Sequence, residues 1–370
     1  MRVLVFTNTP AHVHLYKHAV ERLQQQGHEV RILAREYGCT TALLEFHDLP
    51  YTVYGYCDTS KGSLLRNLPA HYARIVPRTL RYDPDVIFGM GGYAAHAGFV
   101  SRTPVVLILD SEPTSLDHAV SRPFADAMLT PATFRKHLGS KHYVFQGFKE
   151  SAYLHPDVYT PRPGIRDGLG LEPGDRYAIV RFNAFGSHHD VGVAGFTPER
   201  RRELITELAA HATVFVSDES GEMDLSSLPA RPFELHPALL HDALAQADLL
   251  VADTQTMVTE AALLGTPAIR SNSFVGENDM GNFVDLERAG LVANLREFDA
   301  VLDRARELLA DESATEEWRR RRDEYLRGTV NLTEVIVDLA SGVETPAAVR
   351  GVSRYDARRR LSVASSSASP

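Results

Sequence analysis

The chain has 370 residues, enough for about two domains of ordinary size. Its formal net charge of −9 argues against a nucleic-acid binder, which would carry a basic face. Cys39 and Cys57 are its only cysteines and supply neither a disulfide framework nor a cysteine zinc site. No apolar run approaches the roughly 18 residues of a membrane span, and no signal-peptide pattern opens the chain, so a cytoplasmic globular protein is expected.

In chain order, Val3-Leu4-Val5-Phe6 reads as a strand, residues 7–14 as its polar exit loop, and His18 to Leu23 as a helix capped by Gly27. Strands follow at residues 30–33 and 51–54, a long helix at 63–80 and a strand at 85–88. Gly89-Met90-Gly91-Gly92 then turns into a helix over 93–101, and residues 104–109 form a very apolar strand. Short strands at 127–129 and 143–145 complete a first α/β series, whose alternation predicts a parallel sheet with right-handed crossovers. Residues 147–175 are rich in Pro and Gly and read as a linker. A second series begins at Tyr177-Ala178-Ile179-Val180, with a helix at 198–210 and strands at 213–216 and 233–235. A helix near 238–246, a strand at 249–252, a helix from Met257 to Leu264 and a strand from Ala268 follow. Helices are expected at 297–309, 316–326 and 332–339. The remainder is rich in Ala, Ser, Arg and Pro and reads as a disordered tail. The expected domains are 1–150, a linker 151–175, 176–327, a helix within 328–342 packing back toward the first domain, and a tail over 343–370. The two domains would face each other across a cleft.

Strand exits in such sheets are where ligands bind, and six stand out. Asn8 to His14 follows the first strand. A neutral imidazole at His12 could act as a base toward a hydroxyl, with His14 near it, or both could simply cap the helix. Gly91 and Gly92 would admit a ligand close to the backbone, or admit only close helix packing. Asp110 and Glu112, two positions apart at a strand tip, could orient a sugar or work with a base; they also suit an ordinary turn. Arg181 and Asn183 leave the first strand of the second domain, where an Arg fork could hold a diphosphate; the adjacent His188-His189-Asp190 makes a poor metal set. Asp253 and Thr254 are N-cap types, and Thr254, Gln255 and Thr256 lie at a helix start, where open amides favour phosphate. Glu260, one turn after Thr256 in an apolar helix, reads as a ribose ligand or a solvated acid. The polar loop 272–282 places Glu277, Asn278, Asp279 and Asn282 beside it. Lys61, Leu64, Leu65, Arg66 and Tyr72, in the stretch 54–80, read as a basic, apolar surface on the acceptor side or as a buried helix face.

Gly89 to Tyr93 followed by Pro104-Val105-Val106-Leu107 resembles the bacterial N-acetylglucosaminyltransferases that complete lipid II. Ala11-His12-Val13 and the run from Asp248 to Gly290 look similar in the same order. The opening Thr7-Asn8-Thr9-Pro10-Ala11-His12-Val13-His14 and the layout to about residue 340 more closely resemble domain of unknown function 354. That family is regarded as type-B glycosyltransferase-like. The resemblance implies two Rossmann-like domains and a UDP-sugar on the second. It places Glu260 on the ribose, the helix amides after Asp253 near the diphosphate, and His12 at the reacting hydroxyl.

The expectation is thus a type-B α/β fold carrying a metal-independent glycosyltransferase without cofactor. It would move a sugar from a UDP-linked donor to a glycan or lipid-linked acceptor, with possible contact to the inner membrane face. His12, Asp110 and Glu112 would be catalytic. The alternatives are a nonhydrolysing UDP-N-acetylglucosamine 2-epimerase and a catalytically silent nucleotide-sugar binder.

Overall fold

The computed structural model describes residues 1–57, 61–183, 195–219, 221, 223–276, 279–342 and 345–356. The chain divides into two compact units. Unit 1 comprises Met1–Tyr56, Arg66–Ala152 and Val330–Pro370; unit 2 comprises Cys57–Leu65 and Tyr153–Thr329.

In chain order the first part contains β1 (Arg2–Thr7), α1 (Pro10–Gln25), β2 (Glu29–Glu36), α2 (Thr40–Phe46), β3 (Tyr51–Tyr56), α3 (Lys61–Tyr82), β4 (Val86–Gly89) and α4 (Gly92–Ser101). It continues with β5 (Val105–Ile108), α5 (Ser115–Ser121), a 3-10 turn (Arg122–Phe124), β6 (Ala127–Pro131), β7 (His142–Phe145) and α6 (Ser151–Leu154). The second part runs α7 (Ile165–Gly168), β8 (Tyr177–Phe182), α8 (Pro198–Ala209), β9 (Thr213–Asp218), β10 (Arg231–Pro232), α9 (Leu240–Gln246), β11 (Leu249–Ala252), α10 (Thr256–Leu264) and β12 (Ala268–Arg270). After it come α11 (Gly281–Arg288), β13 (Ala293–Asn294), α12 (Phe298–Ala310), α13 (Ala314–Leu326), α14 (Leu332–Ala340) and β14 (Val352–Arg354).

The sheet of unit 1 has the order β14-β7-β6-β5-β4-β1-β2-β3, and that of unit 2 the order β10-β9-β8-β11-β12-β13. Every described pairing is parallel except β14 on β7. Strands such as Val86–Gly89 and Leu249–Ala252 are buried along their whole length, as expected of strands covered by helices on both faces. The strand order reverses between β1 and β4 in unit 1 and between β8 and β11 in unit 2. The carboxyl ends of those four strands are the two switch points where an open α/β sheet offers a crevice.

Several expectations change. The exit loop of β1 is two residues long, because Pro10 suits the first helical position and α1 starts there. His12 and His14 therefore ride on the first turns of a helix. The short helices α2 and α5 escaped the period-based reading because seven residues carry too little periodicity. The stretch read as linker contains α6 and α7, and the chain passes from unit 1 to unit 2 at Tyr153. The tail expected from 343 holds a strand: β14 adds antiparallel to β7, burying Val352, and Tyr355 stacks on the His142 ring at 4.5 Å. An edge strand needs one buried side chain to register, so composition alone conceals it. Helix α14 lies against α1 with Leu332, Val335 and Ile336 buried, and Glu334 pairs with Arg22.

Candidate functional site

In unit 1 the switch point is built around Asn8. Its backbone N–H donates to Nδ1 of His12 (3.2 Å), its carbonyl accepts from Nε of Arg35 (3.1 Å), and its side-chain carbonyl accepts from the Tyr54 hydroxyl (2.9 Å). Because Nδ1 of His12 is occupied as an acceptor, the neutral ring carries its proton on Nε2 and presents a donor. Burial, then Lys149 and Arg35, push the His12 pKa down to about 3 against the pull of Asp110. The imidazole is therefore neutral at any working pH.

Asp110 comes from the exit of β5 to within electrostatic range of His12. Burial pushes its pKa up, but Lys149, through both charge and a 2.5 Å Nζ–Oδ2 contact, and then His12 outweigh that and hold it below the usual carboxylate value. Lys149, on the exit of β7, also lies 3.5 Å from Glu150. The structure thus joins His12 and Asp110 and adds Lys149 and Arg35. Lys149 was legible by the same strand-exit rule, had residues 147–175 not been set aside as linker.

The other candidates of this unit part company with the site. Glu112 accepts from the Arg135 backbone N–H (3.0 Å) and is absent from the charges that act on His12. His14 is buried, its ring edge-on to His47 at 6.4 Å, so it packs α1 against α2. The Gly91-Gly92 turn is closed by Asp117, whose Oδ1 accepts from the Gly92 N–H at 3.3 Å and lies 2.7 Å from where a Cβ on Gly91 would stand. Its glycines serve packing: a Cβ on Gly89 would fall 2.4 Å from that of Ala94. In the stretch 54–80, Tyr72 is half-buried with its hydroxyl 2.5 Å from Nδ1 of His96, nearer the buried-face alternative, while Arg66 is exposed. The side chains of Lys61 and Leu65 lie outside the described residues.

In unit 2 the switch point is organised by Asp253. Its Oδ1 accepts from the Asn183 backbone N–H (2.7 Å) and its Oδ2 from that of Phe196 (3.3 Å), while Nη2 of Arg201 stands 3.9 Å away. Burial raises its pKa to about 6 despite these partners. Asp253 is therefore a brace across the exits of β8 and β11. The N-cap expected of it is not made, since no side chain caps α10. The Oγ1 of Thr254 is buried and has no hydrogen-bond partner among the described residues. Gln255 and Thr256, beside it, are half-buried and make no side-chain hydrogen bond among the described residues.

The remaining candidates divide. Asn282 is half-buried on the first turn of α11. Arg181 is committed to Ser217 Oγ (2.7 Å) and Glu219 (3.4 Å). Asp279 is not open to a sugar. It takes both prongs of the fully buried Arg270 at 2.8 and 2.9 Å, and Arg270 lies 3.6 Å from the centroid of Phe283. Glu260 is buried, and its Oε1 accepts from the Tyr153 hydroxyl (2.8 Å) and Nε2 of His241 (3.0 Å). The solvated-acid alternative is thereby removed. Residues 188–190, 277 and 278 lie outside the described residues.

This pair of sheets has close counterparts among solved structures. UDP-GlcNAc 2-epimerase from Neisseria meningitidis bound to UDP-GlcNAc superposes with a TM-score of 0.65 at 14% identity, over 93% of this chain and 100% of that one. Spinosyn forosaminyltransferase matches at 0.65 and 14%, over 92% and 99%. Glycosyltransferase VinC in complex with dTDP matches at 0.60 and 15%, over 93% and 100%. The fold is that of the type-B glycosyltransferases. No family model matches the chain and no curated sequence does, so the likeness to domain of unknown function 354 stands on the residues quoted above alone. No helix among the described residues is long and apolar enough to cross a membrane.

Proposed function

We propose that the chain is a glycosyltransferase that takes its sugar from a nucleotide donor, UDP-linked in the first instance, held by unit 2. The observation that carries this is the start of α10 at the β8/β11 switch point, a helix N-terminus with no side-chain cap and a Thr254 hydroxyl with no hydrogen-bond partner among the described residues. Open amides and a free hydroxyl are the donors a diphosphate needs. The Asp253 carboxylate is held by the Asn183 and Phe196 backbone amides and is not the cap of α10. Gln255, Thr256 and Asn282, whose side chains make no hydrogen bond among the described residues, are assigned to the donor, and Glu260 to the ribose. The fold neighbours that bind UDP-GlcNAc or dTDP support the same reading.

On unit 1 the reading assigns the acceptor hydroxyl, on a glycan or a lipid-linked glycan, to His12 and Asp110. In its tautomer His12 orients the hydroxyl by donating from Nε2, and the ionised Asp110 takes the proton as the bond to the anomeric carbon forms. Lys149 keeps Asp110 ionised. Helix amides at α10 stabilise the departing diphosphate, and EDTA is expected to leave turnover unchanged. Calorimetric titration with UDP and with UDP-GlcNAc tests the donor assignment; absence of heat at millimolar ligand removes it.

The equal likeness to an epimerase supports a second reading, a nonhydrolysing 2-epimerase acting on the same donor. Incubation with UDP-GlcNAc alone separates them. An epimer formed without acceptor identifies an isomerase, and turnover that requires acceptor identifies a transferase.

A further inference from the structure

Asn8 has four polar groups, and three of them are engaged within unit 1. Its N–H donates to Nδ1 of His12, its backbone carbonyl accepts from Nε of Arg35, and its Oδ1 accepts from the Tyr54 hydroxyl. The fourth, Nδ2, has no partner among the described residues, and the side chain is half-buried just past the end of β1. The Tyr54 phenol proton needs an oxygen, which sets the amide with Oδ1 toward Tyr54 and Nδ2 away from it.

The fold itself does not require an amide at this position. The bonds to His12 and Arg35 use backbone groups that any residue except proline supplies, and α1, which follows, takes no side-chain cap. A Leu and Phe pair in place of Asn8 and Tyr54 would be about as stable, since replacing both partners of a buried hydrogen bond is nearly neutral. What the polar pair adds is a fixed direction. The buried Tyr54 ring is wedged among those of Phe6, His71 and Tyr93, at centroid distances of 6.4, 5.3 and 5.3 Å, and Nη1 of Arg74 holds the Tyr54 carbonyl at 3.3 Å. An amide locked by such a ring is a preorganised donor. Because Asn8 also holds the His12 ring, its Nδ2 and the Nε2–H of His12 are neighbouring donors at one strand exit.

A hydroxyl oxygen has two lone pairs. In the transfer proposed above, one of them bonds to the anomeric carbon as the bond from that carbon to the diphosphate breaks. The electron pair of the broken bond leaves with UDP, and the hydroxyl proton passes to Asp110. The other lone pair accepts from Nε2 of His12, so that oxygen has no room for a second donor. We propose that Nδ2 of Asn8 binds a different oxygen, on the carbon next to the reacting one. The acceptor is then a pyranose with a vicinal pair of oxygens, not an isolated alcohol or phenol. Asn8 is the residue that determines this specificity, and Tyr54 positions it. The assignment rests on the transferase reading and narrows its acceptor.

The test uses the full chain, UDP-GlcNAc and, one at a time, the methyl pyranosides of glucose, galactose, mannose and N-acetylglucosamine, their deoxy derivatives and cyclohexanol. Mass spectrometry counts the products of transfer and of hydrolysis, in which water replaces the acceptor. Their ratio does not depend on how much of a variant is folded. At least one pyranoside should be glycosylated and cyclohexanol should not. Removing the oxygen beside the reacting one should lower the ratio about three- to tenfold, the worth of one hydrogen bond. Asn8→Leu with Tyr54→Phe should lower it by a similar factor for the pyranoside and by no further factor for the deoxy derivative, because the coupled pair is already broken. Tyr54→Phe alone should raise KM for the pyranoside more than it lowers kcat. The assignment is overturned if cyclohexanol serves as well as a pyranoside, or if no pyranoside is glycosylated while UDP-GlcNAc is hydrolysed. It is equally overturned if the deoxy penalty is the same in the double variant as in the parent. Failure of the transferase reading looks different: UDP-GlcNAc is then neither bound in calorimetry nor consumed, or it yields only an epimer.

Discussion

Lys149 approaches Asp110 at 2.5 Å, Nζ to Oδ2, and the carboxylate it holds is the one within electrostatic range of His12. A cation placed so keeps the acid ionised to well below neutral pH, so the acid limb of the activity profile should lie near or below the ordinary aspartate range. No inflection near pH 6.5 should belong to His12, which stays neutral down to about 3. Lys149→Met leaves burial as the main influence on Asp110 and should move the acid limb upward by about 1 to 3 pH units. Asp110→Asn should lower kcat by on the order of 10² to 10⁴. A Lys149→Met profile superimposable on the parent's would rule out Asp110 as the proton acceptor.

Thr254 separates binding from folding. Its hydroxyl is buried without a partner among the described residues, so Thr254→Val should leave the melting temperature unchanged or slightly raised. The same change should weaken UDP-GlcNAc binding about tenfold, the worth of a hydrogen bond to a charged group. Unchanged affinity in calorimetry would detach Thr254 from the donor.

Asp253 predicts a pH-dependent stability with a definite sign. Its folded pKa, about 6, lies above the unfolded value of 3.8, so its contribution is fully present below 3.8 and is lost as pH rises through 6. The swing is about 3 kcal/mol. Asp253→Asn lacks this titration and loses one of the two amide bonds. It should be most destabilising below pH 3.8 and less so at pH 7.5, read by urea unfolding. A cost that does not vary with pH would contradict the assignment. A diphosphate bound nearby would raise the Asp253 pKa further, so UDP-GlcNAc binding should take up protons between pH 6 and 7 and lose that uptake in Asp253→Asn.

Arg270 and Asp279 form a buried pair whose members depend on each other. Arg270→Met should cost about 3 to 5 kcal/mol by leaving the Asp279 carboxylate buried and unpaired. Arg270→Met with Asp279→Leu should recover much of that loss. A strictly additive double-mutant cycle would show that the contact carries no coupling.

The alternation of apolar strands and helices made both sheets readable, because β4, β5 and β11 are short runs buried along their length. The strand exits read from the sequence include those of β1, β4, β8 and β11, which the strand order makes the two switch points. Which exit residues stay available to a ligand was not readable, since that depends on partners distant in sequence. Glu260 meets Tyr153, 107 residues earlier, and the Gly92 amide meets Asp117. Asp279 looked like a sugar ligand until Arg270, buried and needing a counter-ion, claimed both its oxygens. Asp253 looked like a helix cap because cap and brace use the same carboxylate chemistry, and only the fold brings the Asn183 and Phe196 amides to it.

The pairing of β14 with β7 and of α14 with α1 has a consequence for synthesis. Unit 1 draws its residues from both ends of the chain, with Val330 onward completing what Met1 begins, whereas most of unit 2 is the continuous stretch Tyr153–Thr329. On the ribosome the start of unit 1 must wait, its α1 surface uncovered, while the whole of unit 2 is made. Unit 2 can therefore reach its native state first although it is encoded second. A stop codon just before residue 330 would spare unit 2 and strand unit 1 as an aggregation-prone fragment.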